Sequence, residues 1–256
     1  MNRIYSRLPL LITALAVIAL LIHGPIAQLP HYHEFADQRT LFGVPNGADV
    51  LSNIGFALVG LWGVLRLWRY REDPSLTKGW PGYFLFMLSL VLTAMGSGFY
   101  HLEPDNARLV WDRLPIALAC GGLLAAVRSE THMGAGGWRQ VALFSIFAVL
   151  SVVWWRVSDQ AGHGDLRPYL LLQGLPLLLI PLWHAIYTSP RKDRIAFGAA
   201  ILLYVLAKAA ELHDRELLEM FGGISGHSIK HLLATVASAV LIGRLNARVR
   251  QDKMQG

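Results

Sequence analysis

One cysteine in 256 residues, Cys120, excludes an internal disulfide, and no metal site can be assembled from paired cysteines. Charge is scarce as well. Asp, Glu, Lys and Arg make up 16% of the chain, against about 25% in an ordinary soluble domain. There is no Gly-rich phosphate loop, no proline-rich tract, no low-complexity segment and no long polar linker. Phosphate cradling by such a loop and a string of linked soluble domains are thereby set aside. The net charge is +6, but the basic residues sit at the ends of apolar segments. No basic face is left for nucleic acid.

What is present is apolar. Hydrophobic residues make up 54% of the chain, and the mean hydropathy is +0.42. Eight stretches approach the roughly 20 apolar residues that a spanning helix needs, at approximately 8–29, 49–68, 81–101, 107–127, 138–156, 168–187, 195–213 and 227–246. The sixth is interrupted by Pro176 and Pro181, and the seventh carries Lys208 and Glu211. The fold class this predicts is all-α: a polytopic membrane helical bundle. The first stretch starts like a signal peptide, with Arg3 and Arg7, yet has no clear small-x-small cleavage site. It reads as a retained helix.

Lysine and arginine in short loops orient such a bundle. With eight spans and an inner N-terminus, fifteen of the 23 Lys and Arg residues fall on the inner side and five on the outer, with Arg113, Lys208 and Lys230 inside spans. Both termini are therefore expected to be cytoplasmic. On the outer side the same topology gathers His101 at the end of the third span, Asp112 early in the fourth, and His227 and His231 opening the eighth.

The spacing within this group suggests chemistry. His227 and His231 are four residues apart, as are Ser97 and His101, so each pair shares one helical face. The turn Glu103-Pro104-Asp105-Asn106 reverses the chain and returns Asp112 to a depth near Ser97. Three neutral imidazoles and a water make an open zinc site that lowers the pKa of the water to about 7. Asp112 can accept or orient its proton, and Ser97 can donate to a developing oxyanion. Singly, each residue has a plain structural reading. Ser97 between two glycines suits helix packing, His101 suits an interface, and Asp112 can pair with Arg113 or a lysine. Their shared depth and repeated spacing favour a site.

The ordered pattern Ser97-x3-His101, Asp112, His227-x3-His231, with Val50-Leu51-Ser52-Asn53 in the second span, resembles the signature of the alkaline ceramidase family. That family comprises seven-helix membrane hydrolases related to adiponectin-receptor-like proteins. The resemblance covers approximately residues 37–246. It implies a seven-helix hydrolase core over 31–256, preceded by one extra helix over 1–30. It further implies Zn2+ held by His101, His227 and His231, with Ser97 and Asp112 completing the catalytic centre. The implied reaction cleaves the N-acyl amide of a ceramide-like membrane lipid to a fatty acid and an amine-bearing lipid. Eukaryotic members also carry an acidic calcium-binding N-terminal segment. The stretch around Asp37, Asn46 and Asp49 does not match it residue by residue, which leaves Ca2+ doubtful.

Two other classes compete. A receptor or proton-coupled transporter would use the same titratable residues as a pathway. An intramembrane serine protease is prompted by Gly96-Ser97-Gly98, although Met95 stands where the rhomboid-type pattern needs glycine. Lys208 and Glu211 are spaced for an ion pair, and Lys230 is expected to find Glu211 across helices. The remaining histidines, His33 and His184 among them, are expected at surfaces or interfaces.

Overall fold

A computed structural model describes residues 3–132, 134 and 136–255. Among the described residues the protein is all-α, with an isolated bridge between Leu41 and Val44 as its only extended pairing. Its helices are α1 (Arg3–His23), α2 (Gly47–Ser52), α3 (Ile54–Leu67), α4 (Trp80–Leu102), α5 (Asn106–Thr131), α6 (Gly137–Gln160), α7 (Arg167–Ile186), α8 (Arg191–Leu212), α9 (Asp214–Phe221) and α10 (Gly226–Gln255). A short 3-10 turn, Trp68–Tyr70, extends α3. Counting α2, α3 and that turn as one span, eight segments are long and apolar enough to cross a membrane. The chain is a multi-pass integral membrane protein.

Helix α6 shows what holds such a segment. Ala148, Ser151, Val152 and Trp155 are buried, whereas Ile146, Leu150, Val153, Trp154 and Val157 are exposed apolar side chains on its other faces. A helix apolar all round suits lipid on one side and neighbouring helices on the other. Proline does not break α7, which runs continuously through Pro176 and Pro181. Helix α1 stops at His23, six residues short of the apolar run, because Gly24 takes a φ of +82° and Pro25 follows.

The chain forms two compact units. The first comprises residues 1–30, 77–86 and 117–194. Within it α7 packs against both α1 and α6. The stretch after α1 is pinned by Asp165, whose Oδ1 accepts the Ile26 N–H at 3.3 Å and whose Oδ2 accepts Trp154 Nε1–H at 3.0 Å. Burial pushes the Asp165 carboxyl up, but hydrogen bonds from Arg167 and Trp154 outweigh it and hold the group well below the usual carboxylate range. His184 lies in this unit, 3% exposed beside Trp183 and Ile180, so the interface placement expected for it is not what the helix adopts.

The second unit comprises residues 31–76, 87–116 and 195–256. Helices α2–α3 and α10 lie side by side within it, with Asp49 meeting Ser228, Ser52 meeting His231, Gly55 meeting Thr235 and Gly63 meeting Ile242. Both numbers rise together, so the two spans run in the same direction, as the five crossings between them require. Helix α9, amphipathic and only eight residues long, links α8 to α10 and ends at Gly222 with a φ of +65°.

Candidate metal centre

The site lies wholly in the second unit. Asp105 caps α5 by accepting the Arg108 N–H at 2.7 Å, and its side chain also pairs with the Arg108 guanidinium. The reversal between α4 and α5 is therefore fixed locally. Gly96 then allows α4 and α5 to touch: a Cβ there would collide with the carbonyl oxygen of Trp111. Gly98 has nothing near it, so only one of the two glycines beside Ser97 serves packing. Ser97 is 1% exposed and Asp112 half-buried, and the Ser97 hydroxyl makes no hydrogen bond to another described residue. Arg113, the next residue, lies over the Tyr32 ring at 5.2 Å.

His101, at the end of α4, meets His227 and His231 from the first two turns of α10. All three are buried, and one nitrogen of each lies within 4.8 Å of the other two. Ring centroids are 4.7 Å apart for His101 and His227, 5.3 Å for His101 and His231, and 4.8 Å for His227 and His231. His101 Nε2 and His227 Nε2 are 3.1 Å apart. Donors placed about 2.0–2.1 Å from a tetrahedral ion lie roughly 3.3–3.4 Å from one another. The His101–His227 pair approaches that spacing, and imidazole nitrogens are a donor type that zinc takes.

The neighbours hold these rings in place. Phe35 sits 4.6 Å from His101 and 4.5 Å from His227, ring to ring, and is itself buried. Asn46 donates its amide N–H to the His101 carbonyl at 2.9 Å. His33 links Tyr100 Oη at 2.9 Å to Asn106 Oδ1 at 2.8 Å, so it is a half-buried tie rather than an interfacial residue. Asp214 accepts the His227 N–H on Oδ1 at 2.7 Å and the Ala36 N–H on Oδ2 at 2.9 Å. One carboxylate thus caps α10 and anchors the segment that carries Phe35. Gly226 has no room for a Cβ against the Ala210 carbonyl, which sets α10 close to the end of α8.

Two expected ion pairs form, and they share Glu211. Lys208 pairs with Glu211 one turn along α8, and Lys230 Nζ reaches Glu211 Oε1 at 2.9 Å across helices. Lys230 Nζ also stands 2.8 Å from His227 Nε2. That nitrogen has a single lone pair. It cannot serve an ammonium and a metal ion together, so metal at this triad requires Lys230 to rely on Glu211 alone.

Calcium does not fit the stretch set aside for it. The ion takes six to eight oxygens, yet Arg39 occupies both Asp37 oxygens, through Nε at 2.8 Å and Nη2 at 2.7 Å. This hydrogen bonding holds the Asp37 carboxyl below its ordinary range. Asn46 turns its nitrogen rather than its oxygen to His101, and Asp49 Oδ1 accepts from two serines.

The sequence signal anticipates the three histidines that come together. It does not anticipate Phe35, Asp49 or Asp214 as their supports, and Ser52 is visible only as part of Val50-Leu51-Ser52-Asn53. No family model and no curated protein matches the chain. Fold and cluster together define an all-α, multi-pass membrane protein with a buried three-histidine centre able to hold a metal ion.

Proposed function

We propose that the protein is a zinc-dependent membrane hydrolase that cleaves the N-acyl amide of ceramide-like lipids, releasing a fatty acid and an amine-bearing lipid. The observation that carries this reading is the convergence of the three buried histidines His101, His227 and His231, with Ser97 one turn before His101 on α4 and Asp112 on the helix that meets α4 at Gly96. When bound, zinc supplies a Lewis acid that acidifies water and polarises a carbonyl. Asp112 takes the proton from water as it attacks the amide carbon and passes it to the departing amine. The Ser97 hydroxyl donates to the carbonyl oxygen as negative charge gathers there. One water is consumed and the C–N bond is broken. Asp214 and Phe35 hold the histidines and keep bulk water off them. The excess of Lys and Arg on one set of loops supports cytoplasmic termini, with the site near the outer face.

Metal analysis of the purified protein, joined to ceramide hydrolysis before and after chelation, tests the reading. Zinc near one equivalent, turnover lost on chelation and restored by zinc is the expected result. Turnover indifferent to chelation, or intact in His231→Ala, overturns it.

One observation favours a second reading, a proton-coupled transporter. Lys208, Glu211 and Lys230 form a chain from a half-exposed ammonium to buried His227, the kind of relay that moves protons through membranes. Proton flux in vesicles without lipid turnover would select it.

A further inference from the structure

We infer that Ser52 and Asp49 are positioning residues that fix His231 as an Nε2 donor; as far as that donor serves a metal, the inference rests on the function proposed above. Ser52 Oγ lies 3.0 Å from the Asp49 carbonyl oxygen and 2.8 Å from His231 Nδ1. A carbonyl only accepts, so the single hydroxyl hydrogen of Ser52 goes to Asp49. The contact with His231 must then be carried by an N–H on Nδ1. A neutral imidazole has one N–H. Nε2 therefore keeps its lone pair and is the nitrogen left for the cluster with His101 and His227.

The backbone explains why this carbonyl is available. At the junction of α2 and α3 the Asn53 N–H bonds to Val50 at 3.3 Å instead of to Asp49. The freed Asp49 oxygen accepts from Ser52 and from Asn53 Nδ2, the latter at 2.8 Å. The Asp49 side chain acts on the same helix as His231. Its Oδ1 accepts the Ser228 hydroxyl at 2.7 Å and the Ser225 hydroxyl at 3.1 Å, and Ser225 Oγ in turn accepts the Ser228 N–H at 3.0 Å. One residue of α2 thereby sets the ring through its main chain and the ligand-bearing turn of α10 through its side chain. Partners of this kind, standing behind a ligand, typically govern metal affinity by about 10–100-fold.

The test has two independent arms on the full-length protein in detergent. In the first, 15N-histidine NMR of the metal-stripped protein assigns the His231 tautomer. An Nδ1–H form in the wild type that is lost or mixed in Ser52→Ala is expected; an Nε2–H form in the wild type overturns the inference whatever the metal does. In the second, zinc affinity is measured by competition with a chelator. Ser52→Ala is expected to weaken zinc by about 10–100-fold with its melting temperature in the metal-free state held, and Ser52→Thr, which keeps the hydroxyl, to restore it. Wild-type zinc affinity in Ser52→Ala, or no rescue by Ser52→Thr, overturns the inference. A wild-type protein with the Nδ1–H tautomer that binds no zinc would uphold the positioning role and sink the hydrolase instead.

Discussion

His101 Nε2 and His227 Nε2 face each other at 3.1 Å between α4 and α10. Two imidazole nitrogens at that distance need either a proton or a cation between them, since their lone pairs otherwise repel. With His231 they form the triad, and the ion is expected to depend on all three. Zinc sites in small peptides are worth about 10–16 kcal/mol over four donors, so each ligand carries about 3 kcal/mol, roughly a hundredfold in affinity. Alanine at any of the three should drop the zinc content of purified protein below a tenth of an equivalent under mild chelation, as read by mass spectrometry of the metal.

Lys230 should oppose the metal. Its ammonium shares His227 Nε2 and would sit a few ångströms from a dication. Even at an effective dielectric near 20, such repulsion exceeds ~1.4 kcal/mol. Lys230→Met is expected to bind zinc at least about tenfold more tightly, with Glu211 still partnered by Lys208. Calorimetric titration checks this, and unchanged or weaker binding would contradict it.

Gly96 sets the close approach of α4 to α5, the helices that carry Ser97 and Asp112. Alanine there must push the Trp111 carbonyl away, and overpacking of this kind costs about 1–3 kcal/mol. Displacement of a catalytic pair by about 1 Å can cost roughly a hundredfold in rate. Gly96→Ala should therefore lose far more turnover than stability, while Gly98→Ala, in open space, should lose little of either. Melting curves and lipid hydrolysis measured on both variants make the comparison.

Asp214 accepts two backbone N–H groups, one on each oxygen. Asparagine offers a single carbonyl oxygen, so Asp214→Asn can satisfy only one of them. The loss is expected to be about 1–2 kcal/mol, seen as a lower melting temperature. Faster hydrogen exchange should appear at either Ala36 or His227, not at both. Asp214→Ala should release both.

Hydropathy made the eight spans legible, because lipid forces each crossing to be a long apolar helix. The same rule says nothing of α9, which is short and polar, and local backbone chemistry at Gly24 ended α1 earlier than composition suggested. Spacing on one helix exposed His227 with His231, and the tight turn at Pro104 brought Asp112 back beside Ser97. The supports lie beyond such reasoning. Ser52 and His231 are 179 positions apart, and Ala36 and Asp214 are 178 apart, so no local period connects them. His33 and His184 were misplaced for the same cause: spacing along one helix does not reveal what another segment lays against it.

Phe35 closes over two of the three histidines, and this bears on time rather than affinity. A metal ion or a chelator approaching from the Phe35 side must displace that ring, and with it the segment that Asp214 holds through the Ala36 N–H. Loading and unloading are then gated by a hydrophobic stopper, and a bound ion would be kinetically trapped for longer than its equilibrium constant alone dictates. The protein would keep its ion through brief scarcity and be slow to acquire it at synthesis.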